Sequence, residues 1–360
     1  MRKSIFVLSI VAVFLILGGA GCDPLNFFNV GGASNPASKT DGGIFKSVDR
    51  GETWVNLSQL LTTGAKRDFR SAGIASFAID PSDHLALYAG SIDNGLFYSY
   101  SGSAGWEQPD QIKGGTVKAV AVDPKNKCVI YIVIGNMIYQ SNDCNRTYGA
   151  IYQEARPEVA VTGLVIDSFN SSIIYAGNTA GDVFKSTDRG RSWVVVKRFE
   201  NPIAKIIVNP IDTRVVYAAT QDRGIYRSAD GGLSWKDLSD GLKQFGGAFV
   251  YRDLALFDEK NEGLLLASQY GLIRSGNGGQ TWQALNLLTP PNGADIRTLA
   301  VNHQNSKEIY YSTPSTLYKT VDGGLKWVTK KLPSTRAPTL LRIDPVDPKV
   351  LYLTFEPLKK

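Results

Sequence analysis

The chain has 360 residues, 43% hydrophobic and 10% aromatic, with three cysteines, two histidines and a formal charge of +6. His84 and His303 each stand in a polar turn without ligand company, which excludes histidine-based metal catalysis and Ser-His-Asp chemistry. Without Arg2 and Lys3 the charge is +4, too mild and too dispersed for a nucleic-acid partner.

Arg2 and Lys3 precede an apolar run from Ile5 to Leu17, so residues 1–22 read as a secretory signal. Thirteen apolar residues are fewer than the ~20 of a spanning helix, which disfavours a permanent anchor there. Gly18-Gly-Ala-Gly21 before Cys22 resembles a bacterial lipobox, with Gly19 where leucine is usual. That resemblance implies lipidation of Cys22 and an exported chain anchored by lipid to a membrane of the bacterial cell envelope. Ordinary cleavage and an uncleaved anchor are the alternatives. Residues 23–38, rich in Gly, Ser, Asn and Pro, read as a flexible tether. Residues 39–360 read as one domain, although length alone would suggest two.

From Lys46 onward a nine-residue phrase recurs, first as Lys46-Ser-Val-Asp-Arg-Gly-Glu-Thr-Trp54. Ser47, Asp49 and Trp54 are matched by Ser186, Asp188 and Trp193, by Ser228, Asp230 and Trp235, by Ser275, Asn277 and Trp282, and by Thr320, Asp322 and Trp327. Gln140 to Tyr148 is a sixth copy and Ser99 to Trp106 a worn seventh. The closing aromatics fall about 45 residues apart, the period of a propeller blade. Each phrase follows short β-rich runs such as Val161-Thr-Gly-Leu-Val-Ile-Asp167 and Ile173-Ile-Tyr-Ala-Gly177, so one unit reads as four antiparallel strands. Within the phrase the Ser and Asp oxygens accept from turn amides and glycine supplies a positive φ, while the Trp buries area beside the turn. One carboxylate per turn is few for calcium, which takes about 6–8 oxygens, and no metal or cofactor is expected.

The chain opens with a lone second half-unit, Gly42 to Leu57, and ends with a lone first half, Pro338 to Thr354. The expected fold is therefore an all-β, seven-bladed propeller of four-stranded antiparallel blades, with the last blade completed by strands from both termini, leaving no exposed pair of sheet edges. Cys128 and Cys144 flank a hairpin whose turn is near Gly135-Asn136 and are positioned for a cross-strand disulfide; two buried thiols are the alternative.

A cation precedes the inner strand's end in every unit: Arg70, Lys113, Arg156, Arg198, Arg252, Arg297 and Arg336. If they line one mouth of the channel they would form a ring able to recruit acidic peptide tails or anionic polymer. Scattered solvated loop charges are the alternative. Phe69, Phe199, Phe249 and Tyr251 in the same segments could add contact area or belong to the core.

The Ser-x-Asp-x-Gly-x-Ser/Thr-Trp copies resemble those of the Asp-box (BNR) repeat propellers, which include sortilin-type ectodomains, xyloglucanases, sialidases and the photosystem II assembly/stability-factor type. The motif specifies the fold and not the activity. Sialidases of this group carry six blades and an Arg-Ile-Pro signature, which is absent here, and xyloglucanases use two tandem propellers with a carboxylate from each. Glycoside hydrolysis needs two suitably spaced carboxylates, whereas Asp80, Asp123, Asp167 and Asp344 close inner strands in repeated fashion, as turn caps do. The expectation from sequence is a non-enzymatic, monomeric, membrane-tethered binding or assembly module with a protein partner at one propeller face, a glycan partner being open. A hydrolase or carbohydrate-binding propeller is the alternative.

Overall fold

The computed structural model describes residues 41–102 and 104–358. The expected signal, Cys22 and the tether lie outside the described residues.

The strands assemble into seven antiparallel sheets. Six are consecutive in the chain: blade 1 (Ile74–Ser99), blade 2 (Val117–Gln153), blade 3 (Val161–Arg198), blade 4 (Ile203–Asp237), blade 5 (Tyr251–Ala284) and blade 6 (Thr298–Lys331). Blade 7 takes its two inner strands, Pro338–Ile343 and Leu351–Phe355, from the end of the chain and its two outer strands, Ile44–Ser47 and Val55–Asn56, from the beginning. Ile44 pairs with Thr354 and Ser47 with Leu351, so the closure expected from the two half-units is present. Each blade's inner strand neighbours that of the next, and blade 7's neighbours blade 1's. Blade 1 departs from the pattern. Its sheet has three strands, and the fourth position is reduced to a bridge between Tyr98 and Glu107.

Burial explains why these segments are strands. The second strand of a blade is covered by the blades on either side, and Leu87–Ser91, Ile174–Asn178, Val216–Thr220 and Leu351–Phe355 are buried at every residue. Such strands lose the alternation of a half-solvated sheet and read as continuous apolar runs. The outermost strand, such as Val194–Arg198, is mostly exposed. Tyr131 and Tyr175 of the second strands also join blades, since their hydroxyls donate to the Arg189 and Gly231 carbonyls in the turn of the following blade.

The nine-residue phrase builds the turn before each outer strand. In blade 3 the Ser186 hydroxyl accepts from Gly190 N at 2.8 Å and donates to Asp188 Oδ1 at 2.8 Å, and Asp188 accepts from both the amide and the hydroxyl of Ser192. Blades 4 and 7 repeat these bonds around Asp230 and Asp49. The geometry requires two consecutive residues at positive φ, Arg189 at 62° and Gly190 at 86°, and a Cβ at Gly190 would lie 2.5 Å from Ile151. Glycine removes both the strain and that clash. Trp282 is buried, while Trp193 and Trp235 are half-buried and pack edge-on against Phe184 and Phe199. Cys128 and Cys144 are joined in a disulfide across the blade 2 hairpin.

Candidate functional site

The two ends of the channel differ in construction. At the turn end, Asp80, Asp123, Asp167 and Asp344 are buried and their Oδ1 atoms accept turn amides, as Asp167 does from Phe169 N at 2.8 Å and Asn170 N at 3.0 Å. His84 faces Asp344 at 3.1 Å and His303 faces Glu259 at 2.8 Å, also at this end.

At the other end the inner strands begin, and the register of all but blade 6 slips at the second residue. The slips occur between Ile74 and Ser76, Val117 and Ala119, Val161 and Gly163, Ile203 and Lys205, Tyr251 and Asp253, and Pro338 and Leu340. A bulge leaves one residue unpaired and re-aims its side chain. The skipped residues include Lys118 and Arg252, and with Arg297 of blade 6 they line a cavity of about 320 Å³ at the channel mouth. Among the described residues Lys118 and Arg252 have no ion-pair partner, and both are exposed.

Deeper in the same cavity lie Lys205, Tyr251, Asp253 and Arg342. The Lys205 ammonium donates to Asp253 Oδ1 at 2.7 Å, and that oxygen also accepts from Leu254 N at 2.8 Å and the Tyr251 hydroxyl at 3.4 Å. Burial lowers the Lys205 pKa, and Asp253 opposes that shift while the Arg342 charge adds to it. Burial and the Asp253 carboxylate raise the Tyr251 hydroxyl well above its ordinary value, so it stays a neutral donor.

Of the seven cations singled out from sequence, Arg252 and Arg297 line this cavity. Arg297 also meets two carboxylates, Asp295 at 2.8 Å and Glu356 at 3.6 Å. The others are bound to nearby carboxylates: Arg70 to Asp68, Lys113 to Asp110, Arg156 to Glu154 and Asp182, and Arg198 to Asp182. The Arg156 guanidinium holds Glu154 down at about 2, against the cost of its burial. Arg336 is buried, with Nε 3.1 Å from Asp41 and Nη1 donating to the Arg70 carbonyl, so it ties the two chain ends to blade 1. Phe69 and Phe199 are core residues, the first stacked on Phe97 and the second tilted against Tyr226. Phe249 packs on a core cluster, and Tyr251 both packs there and lines the cavity. Sequence reasoning missed Lys118, Lys205, Asp253 and Arg342. The signal lay inside the strands, at the second or third residue for Lys118, Lys205 and Asp253 and at the fifth for Arg342, and not in the loops before them.

Among the described residues lining the channel cavity Asp253 is the only carboxylate, and Lys205 neutralises it. Of the five cations in the lining Lys205 is paired with Asp253 and Arg297 with Asp295 and Glu356, so Lys118, Arg252 and Arg342, which meet no carboxylate among the described residues, make the site suited to an anionic ligand.

No protein-family profile matches the chain. A curated relative, a xyloglucanase of a Paenibacillus species, is 28% identical over 174 residues, which is 47% of this chain and 15% of that protein. Among solved structures, the GH74 enzyme of Niastella koreensis superposes with a TM-score of 0.63 at 17% identity, covering 79% of this chain and 51% of the enzyme. The GH74 xyloglucanase of Xanthomonas campestris gives 0.62 at 18%, with the same coverage. YCF48 bound to D1 peptide gives 0.60 at 13%, covering 82% of this chain and 95% of YCF48. The fold is that of the GH74 enzymes and of YCF48. This chain spans about half the length of the solved GH74 enzymes and a small part of the curated relative. The expectation of a non-enzymatic chain is overturned, because the relative recognised by sequence is a xyloglucanase.

Proposed function

We propose that this chain is a polysaccharide-directed propeller that binds an acidic, uronate-bearing glycan across the channel mouth. The observation that carries the reading is the convergence of Lys118, Lys205, Arg252, Arg297 and Arg342 on one cavity. The identity to a xyloglucanase supports a glycan, and the charge supports an acidic one. Guanidinium groups suit carboxylates because their N–H donors match the two oxygens. Glycoside hydrolysis belongs to this reading as an activity to be measured. It takes two carboxylates about 5–9.5 Å apart, so Asp253 would need a second group from outside the cavity lining. Export and lipid attachment at Cys22 also belong to it, supported by the apolar run and the small residues before that cysteine.

The test is calorimetric titration with polygalacturonate, neutral xyloglucan and polyglutamate at low and high salt, together with an assay for released reducing ends. Polygalacturonate should bind, weaken with salt, and be lost with Arg252→Glu and Arg297→Glu combined. Xyloglucan binding that ignores those charges would overturn the acidic-glycan reading. A second reading, an acidic polypeptide ligand, is favoured by the fold shared with YCF48 bound to D1 peptide. Preference for polyglutamate would select it.

A further inference from the structure

The channel is divided along its axis. Above lies the polar cavity of about 320 Å³, and below it a second of about 370 Å³ whose walls combine apolar residues such as Leu254, Leu256, Leu299 and Val301 with Glu259 and His303. Lys205 and Arg342, from the inner strands of blades 4 and 7, are the two residues common to both linings. They form a waist. A carboxylate-bearing chain passing beyond them would leave a wall rich in cations for one that is mostly apolar and carries the Glu259 carboxylate, which is costly for an anion.

Their hydrogen bonding differs. Lys205 is engaged with Asp253, whereas Arg342 donates Nη1 to the neighbouring Leu341 carbonyl at 3.0 Å and meets no carboxylate among the described residues. A guanidinium has five N–H donors in a fixed fork, so Arg342 keeps donors for an incoming anion. Tyr251 and Lys118 line the same cavity.

We propose that the throat above Lys205 and Arg342 is a site for one carboxylate-bearing group, a terminal or pendant uronate of the chain bound at the mouth, with Arg342 as the specificity-determining contact. This rests on the acidic-glycan reading and adds to it that the polymer enters by an end or a branch and does not thread the propeller. A cavity near 320 Å³ is at the small end of ligand sites, which span about 300–1,000 Å³, and so fits a group of one or two sugar rings.

The test titrates the full chain with monomeric galacturonate, galactose, galactose 6-sulfate and polygalacturonate. Variants are Arg342→Leu, Arg342→Lys and, at the rim, Arg252→Gln, with the melting temperature of each recorded. Galacturonate should bind and galactose should not. Arg342→Leu should weaken galacturonate about tenfold or more, and Arg342→Lys, which keeps charge without the fork, should weaken it less. Arg252→Gln should weaken the polymer more than the monomer. Galacturonate binding unchanged in Arg342→Leu, or galactose or galactose 6-sulfate bound as well as galacturonate, overturns the throat site. If polygalacturonate still binds in that case, the mouth reading stands alone, and if no anion binds the wild-type chain both fall. If Arg342→Leu fails to fold, the comparison of Arg342→Lys with wild type decides.

Discussion

The two ends of the propeller use their polar residues in opposite ways. At the turn end, serines and aspartates are consumed by their own backbone: Ser186 and Asp188 satisfy a turn, and Asp167 satisfies another. At the mouth, Lys118 and Arg252 are left without a protein partner among the described residues, and Arg342 without a carboxylate. A repeated polar group with internal partners stabilises the fold, whereas one whose donors stay open is available to a ligand. The contrast predicts that changes at the turn end cost stability and changes at the mouth cost binding.

The largest effect belongs to ring closure, on which both ends depend. Phe355 is fully buried in the last strand and packs edge-on against Phe45 from the first. Phe355→Ala should cost about 3–5 kcal/mol, and deleting residues 350–360 should abolish cooperative unfolding in a denaturant titration. A truncated chain that melts like the full one would break the account of closure.

Next is the blade 2 disulfide. Opening this bridge, with its sequence separation of 16, should cost about 3 kcal/mol in the chain-entropy model. Chemical denaturation of Cys128→Ser with Cys144→Ser against wild type measures it.

Within the turns, Ser186→Ala leaves the buried Gly190 amide without its acceptor and should cost about 1–3 kcal/mol, read from the denaturation midpoint. Asp49, Asp143, Asp188 and Asp230 are held at about 2, first by the hydroxyl four residues on and then by that residue's amide. Folded values below the unfolded value near 3.9 mean that their contribution is complete above about pH 4 and lost as pH falls toward 2. The melting temperature should drop across that window, and less steeply when Asp188 and Asp230 are replaced by asparagine, the residue naturally present at Asn277. An unchanged acid limb would show that these turns contribute little to it.

The smallest effect on stability should come from Arg252→Gln at the mouth, with the melting temperature unchanged and polymer affinity reduced. A large loss of stability there would blur the division between the two ends.

Most of the fold was legible because it is written seven times. The turn phrase reports local hydrogen bonding, which a few consecutive residues decide, and the mismatched half-units at the ends report closure. Blade 1 was less legible: its worn copy ends in the buried Trp106, whose Nε1 donates to the Leu57 carbonyl, and its fourth strand is only a bridge. The candidate site was legible as a charge on one face and not as a set of residues. Arg70, Lys113, Arg156 and Arg198 satisfy the spacing that suggested a ring, yet each is held by a carboxylate, two of them by Asp182.

The sequence alone determined the strand order, the turns and the joining of the two termini, because each depends on residues close together or on a period repeated along the chain. Only the tertiary structure decided which cations face the channel. That depends on bulges at the starts of the inner strands and on carboxylates brought from other strands and blades, such as Asp182 to Arg156 and Asp253 to Lys205, and pairings of that kind leave no mark in local spacing.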